Sequence, residues 1–143
     1  MSNTDTVLAI TENIQSTLNR QGIVFEPKAV DDESGIAASR RPLGQVFYLG
    51  EAFEYAHGQR PGYIEAEFLI KVVLGHDDDA GLMRGQQKWG HRIRGALTVE
   101  ALNTGKLSET KYVSRVGARE VRVENEAQGS RLVCGISVRY RES

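Results

Sequence analysis

The plainest pattern in the chain is an alternation. Ile64, Ala66, Phe68, Ile70, Val72 and Leu74 take turns with Tyr63, Glu65, Glu67, Leu69, Lys71 and Val73. A period of two is what a β-strand imposes, because successive side chains leave opposite faces. One face is wholly apolar. The other starts charged and turns apolar after Leu69, which predicts a long central strand covered on both sides over its second half. The same period returns near the C-terminus, where Leu132, Cys134, Ile136, Val138 and Tyr140 alternate with Val133, Gly135, Ser137, Arg139 and Arg141. Ahead of it, Val116, Ala118, Val121 and Val123 suggest a partner strand whose alternation slips between Ala118 and Val121, as at a bulge. A loop at 126–130 separates the two, so they read as a hairpin closing an antiparallel sheet.

Helical spacing appears twice. Val7, Ile10, Ile14 and Leu18 form one apolar stripe and predict a helix over 6–21, with Thr4, Asp5 and Thr6 offering cap oxygens and Gly22 closing it. Glu12, Asn13, Gln15, Ser16 and Asn19 make its polar, outward side. A second helix is predicted over 80–102 from Met83, Trp89, Ile93, Ala96, Leu97 and Leu102, with Asp78 or Asp79 as its cap. It carries Gly85, Gly90 and Gly95, each costing about 1 kcal/mol relative to Ala inside a helix. These glycines either break the segment or allow close approach to a sheet or a neighbouring chain. Short strands are expected at 23–25, limited by Pro27, and at 45–49. Residues 28–42 and 50–62 show no period and read as long loops, the usual location of a contact surface. Helix, strands, helix, strands is the order of a single α+β domain, with a mostly antiparallel sheet packed by two helices.

Composition narrows the class. With 143 residues, 40% apolar and 26% charged, the chain can bury a core without disulfides or metals. The lone Cys134 cannot form an internal disulfide and reads as a small buried residue, consistent with a reducing cytoplasm. Apolar stretches are only a few residues long and the first five residues lack a basic start. A soluble protein with neither membrane span nor signal peptide is therefore expected.

Charge changes the picture more. Residues 1–79 carry six Lys/Arg against thirteen Asp/Glu, a net of −7, while residues 80–143 carry twelve against six, a net of +6. Three readings stay open: a basic half that binds nucleic acid, two halves that meet head to tail between copies, or two halves that interleave in space and cancel.

Catalytic chemistry is hard to find. His57, His76 and His91 have no partner at metal-ligand spacing, and His76-Asp77-Asp78-Asp79 lacks the alternate acids, glycine and distal Glu of a calcium loop. No GxSxG, phosphate-binding loop or GxGxxG occurs. Glu65 and Glu67 share a strand face and could pair as general acid and base, but charges on the solvent half of an amphipathic strand are far commoner. No catalytic residue, metal or cofactor is expected. Arg84, Lys88 and Arg92, spaced four and four beside Trp89 and joined by Arg94, form a basic stripe. It suits phosphates, a neighbouring chain, or simply water.

An amphipathic first helix, a variable segment, the strand Phe68-Leu69-Ile70-Lys71-Val72-Val73-Leu74, a polar break, a helix ending Ile93-Arg94-Gly95-Ala96-Leu97 and a last strand Ile136-Ser137-Val138-Arg139-Tyr140-Arg141 follow one another. This layout resembles the tail terminator (tail-completion) proteins of long-tailed bacteriophages and phage-like particles. The resemblance spans most of the chain and is one of pattern. It implies a virion structural protein, not an enzyme, that assembles as a hexameric ring on the tail tube. Such a ring ends tube polymerisation and joins the tail to the head connector or closure protein, with DNA passing through it. Contact residues are then expected among acidic Asp31, Asp32 and Glu33 and basic Arg40, Arg41, Arg84, Lys88 and Arg92. The rival readings are a head-closure or tail tube protein, a nucleic-acid-binding module, and a small enzyme using Glu65 and Glu67.

Overall fold

Helix α1 spans Asn3–Arg20, starting earlier than the expected Thr6. Ser2 is the cap: its hydroxyl accepts from the Asp5 N–H at 3.2 Å, and the Asp5 carboxylate accepts from the Ser2 N–H at 3.4 Å. This reciprocal box satisfies two otherwise orphaned donors. Gly22, at φ +100°, ends the helix in a conformation that glycine adopts without strain. The computed structural model describes residues 2–25, 42–56, 60–74, 79–126 and 129–142. The expected loop at 28–42 lies, except for Pro42, outside them.

Five strands follow in the order β1-β2-β3-β5-β4 across one sheet. Strand β1 (Val24–Phe25) runs parallel to β2 (Leu43–Ala56), and β3 (Arg60–Leu74), β5 (Gly129–Arg141) and β4 (Val113–Glu126) continue it antiparallel. Between β3 and β4 come α2 (Asp79–Ala96), α3 (Val99–Leu102) and a single 3-10 turn at Gly105–Leu107. Helix α1 packs against β1, β2 and α3, whereas α2 packs against β5 and β4. The fold is therefore α+β, a mostly antiparallel sheet with its helices on one face.

Ile64, Ala66, Phe68, Ile70 and Val72 face the helices and are buried, together with Leu132, Cys134, Ile136, Val138 and Tyr140 of β5 and Ile10, Ile14 and Leu18 of α1. On the opposite face Val73 and Val133 are also buried, so the sheet is covered on both sides at that end, as the change after Leu69 predicts. Burial pushes the Cys134 thiol up to about 11, which leaves it protonated and unreactive at neutral pH.

Several expectations are corrected. Residues 50–62 are not an irregular loop: β2 continues to Ala56 and β3 begins at Arg60. Gly50, at φ +121°, absorbs the extra residue Leu49 in a bulge, after which the ladder resumes at Gly50↔Glu67. The hairpin loop at 126–130 is shorter than expected, since Glu126 pairs with Gly129 and Asn125 with Ser130. The second helix does not run from 80 to 102. It stops at Ala96, and the Thr98 hydroxyl accepts from the Ala101 N–H at 3.1 Å to cap α3 separately. Of the three glycines, Gly90 faces the sheet, where an added Cβ would stand 3.4 Å from Val121; at Gly85 and Gly95 it would meet open space. Asn13 is not outward-facing: it is buried, and its Nδ2 donates to the carbonyls of Leu102 at 2.8 Å and Thr104 at 3.0 Å. The Leu102 carbonyl lies at the end of α3, where helical donors run out, and the Thr104 carbonyl accepts also from the Leu107 N–H at 3.0 Å.

Candidate functional site

The face of the sheet away from the helices carries the densest chemistry. Its centre on β5 is floored by Gly135 and Ser137, and these small residues let arginines from β4 lie across β5 to reach β3. Arg115 bonds the Glu65 carboxylate at 3.2 Å, Arg119 pairs with Glu67, and the Ser137 hydroxyl donates to Glu65 at 2.5 Å. Farther along, Arg122 lies between Glu120 at 3.5 Å and Glu124 at 3.6 Å. Arg139 stacks 4.3 Å from the centre of the Tyr63 ring. Glu65, Glu67, Arg115, Arg119 and Ser137, with Leu49, Gly50, Ala52 and Gly117, line a shallow trough of about 700 Å³.

This geometry bears on Glu65 and Glu67 as an acid pair. The hydrogen bond from Ser137, assisted by Arg115, holds the Glu65 carboxyl below its usual value. A general acid at neutral pH needs the opposite shift. Each carboxylate also has its own arginine, so the two are cross-strand anchors of a charged lattice.

On the helix side, Glu51 lies against tyrosines. The Tyr140 hydroxyl donates to it at 2.6 Å, and the Tyr48 ring packs 5.8 Å from Phe68. Burial, with the bond to Glu51, pushes the Tyr48 phenol up to about 12. Neither phenol is poised to give up its proton near neutral pH.

A second cavity, about 430 Å³, opens between α2 and β4. Met83, Gly90, Val121, Val123 and Leu132 make its apolar surface, with Gln86, Gln87, His91 and Arg94 around it. Arg94 bonds His91 at 3.0 Å. β4 is the last strand on this side of the sheet.

Of the residues expected to make contacts, Arg84, Lys88 and Arg92 stand exposed on α2. Lys88 and Arg92 flank the Trp89 ring, 5.9 and 5.0 Å from its centre. Among the described residues no carboxylate pairs with these three cations. Asp31, Asp32, Glu33, Arg40 and Arg41 lie outside the described residues, as do His57 and His76. Sequence reading did not single out Arg115, Arg119, Arg139 or Ser137. The outward half of the C-terminal alternation holds Ser137 and Arg139, but only the strand order brings them beside Glu65.

The strand order also resolves the charge halves. β1, β2 and β3 lie together on one side of the sheet and β5 and β4 on the other, with α2 over the latter. The halves still meet on the open face, where Glu65 and Glu67 of the first pair with Arg115 and Arg119 of the second. The fold and its surfaces define an α+β domain with a charged open sheet face and a basic side. No protein-family model matches the chain, and no curated protein matches it.

Proposed function

We propose that this chain is a structural, ring-forming protein: the tail terminator of a long-tailed phage or phage-like particle. In this reading, copies assemble into a ring that caps the tail tube, ends its polymerisation and meets the head connector or closure protein. DNA passes through without sequence-specific contact. Its place is the tail or neck of the virion, after synthesis in the host cytoplasm. The observation that carries the reading is the placement of β5 and α2, with seven Lys/Arg against one Asp, away from β2, with two Glu and no cation. A chain with unlike charge on its two sides adds to its own copy head to tail, and a heterologous contact closes into a ring when the rotation per copy allows. The order of elements supports the family half of the reading.

Light scattering behind gel filtration tests it. The expected mass is that of several chains, with rings visible by electron microscopy; a monomer at every concentration ends the proposal. A second reading, a nucleic-acid-binding module, draws on Lys88 and Arg92 flanking Trp89 with no carboxylate partner among the described residues. Replacing Arg84 and Arg92 by Glu separates the two. A lower mass at unchanged DNA retention supports the ring, and reversing Asp31 and Asp32 to Lys should then restore part of it. Lost retention at constant mass supports the module.

A further inference from the structure

We infer that the junction between copies is a strand-to-strand join, in which the β4 edge of one copy pairs with the β2 edge of the next and continues the sheet. The inference rests on the ring-forming reading and names its interface.

The two edges are the ends of one sheet and are built differently. At one end β4 has, among the described residues, a single neighbour, β5, along its length. At the other end, among the described residues, β1 covers only Leu43 and Gly44, leaving β2 from Gln45 onward with β3 alone. An edge strand presents backbone N–H and C=O groups that another chain can pair with.

Exposed apolar side chains gather at these same ends. Tyr48 is 47% and Phe53 49% exposed on β2; Val121 is 43% and Val123 40% exposed on β4, beside Met83 of α2 at 60%. Tyr48 and Phe53 pair with the core residues Phe68 and Ile64, and Val121 and Val123 with Cys134 and Leu132. All four therefore point to the helix-bearing face, and a continued sheet would bring them together. The cavity between α2 and β4 then receives an aromatic ring of the neighbouring β2.

Direction and charge agree. β2 runs parallel to β5 and therefore antiparallel to β4, so repetition about an axis along the strands gives an antiparallel junction. Val121 is level with Val46 across the sheet, and Tyr48 with Ala118. A stagger of two residues, of the kind a closed and tilted sheet requires, sets Val121 beside Tyr48 and clear of β1. The β2 strand carries Glu51 and Glu54 and no cation; on β4 three Arg and three Glu balance, while α2 beside it carries Arg84, Lys88, Arg92 and Arg94 against Asp79. Repulsion between like Glu side chains disfavours β2–β2 pairing, and the basic α2 beside β4 favours β2 at that edge.

Two double variants test the junction: Val121→Lys with Val123→Lys, and Tyr48→Lys with Phe53→Lys. Circular dichroism and thermal melts establish that each is folded; if the second is not, Phe53→Lys alone replaces it. Each variant by itself should have the mass of one chain. An equimolar mixture should give twice that mass and nothing larger, because only one intact β4 and one intact β2 remain per pair. Either variant assembling as the wild type does, or a mixture that stays monomeric, overturns the junction. If the wild type assembles in those cases, the ring reading stands and only this interface falls; a monomeric wild type removes both.

Discussion

The two faces of the sheet are made by the same strands and held by different forces. On the helix-covered face, Ile64, Ala66, Phe68, Ile70 and Val72 meet α1 and β5 side chains in a sealed apolar layer. On the open face, Glu65 and Glu67 meet Arg115 and Arg119 across the small residues of β5. Burial of apolar area supplies most of a domain's stability, while solvent-exposed ion pairs each contribute little. The first face therefore keeps the chain folded. The second ties β3 to β4 across β5 through charges that pair within the chain and adds little to that stability.

That division can be broken from either side. Phe68→Ala removes a fully buried ring and should cost about 3–5 kcal/mol, read from a denaturant melt. An unchanged midpoint would mean that the helix-covered face is not what holds the fold.

Next in size is Asn13→Ala, which strips the Leu102 and Thr104 carbonyls of their shared donor beneath α1. A loss of about 1–3 kcal/mol is expected, with the 95–112 region exchanging its amide hydrogens faster. A neutral result would place the α1–α3 contact in packing alone.

Glu65→Gln should act only through pH. Its carboxyl is held below the ordinary 4.5, so its contribution is complete above that value and fades as pH falls through the lower folded value. The variant should be slightly less stable at neutral pH and show a flatter acid limb below 4.5. A parallel limb would show that Ser137 and Arg115 do not stabilise the charged form.

The smallest expected change in stability is at Arg84→Glu with Arg92→Glu, within about 0.5 kcal/mol of the wild type, because both side chains stand in solvent on α2. Here the readout is molar mass. A fall at constant melting temperature would separate association from folding most sharply; a fall in both would show that α2's basic side also supports the domain.

The sequence by itself determined the long central strand, the C-terminal hairpin with its bulge, the first helix and the α+β class. Each is a repeating local pattern in which one buried face leaves its period in the order of residues. Tertiary structure alone decided the rest. The extension of β2 through Gly50 depends on one positive φ and on a partner strand waiting beside it, and neither leaves a period. The burial of Asn13 depends on where α3 ends, far along the chain. Composition shows that acidic and basic residues fall in different halves. Where they meet was set by the strand order β1-β2-β3-β5-β4, which puts β3 and β4 on either side of β5, so that Glu65 and Glu67 pair with Arg115 and Arg119 on the open face.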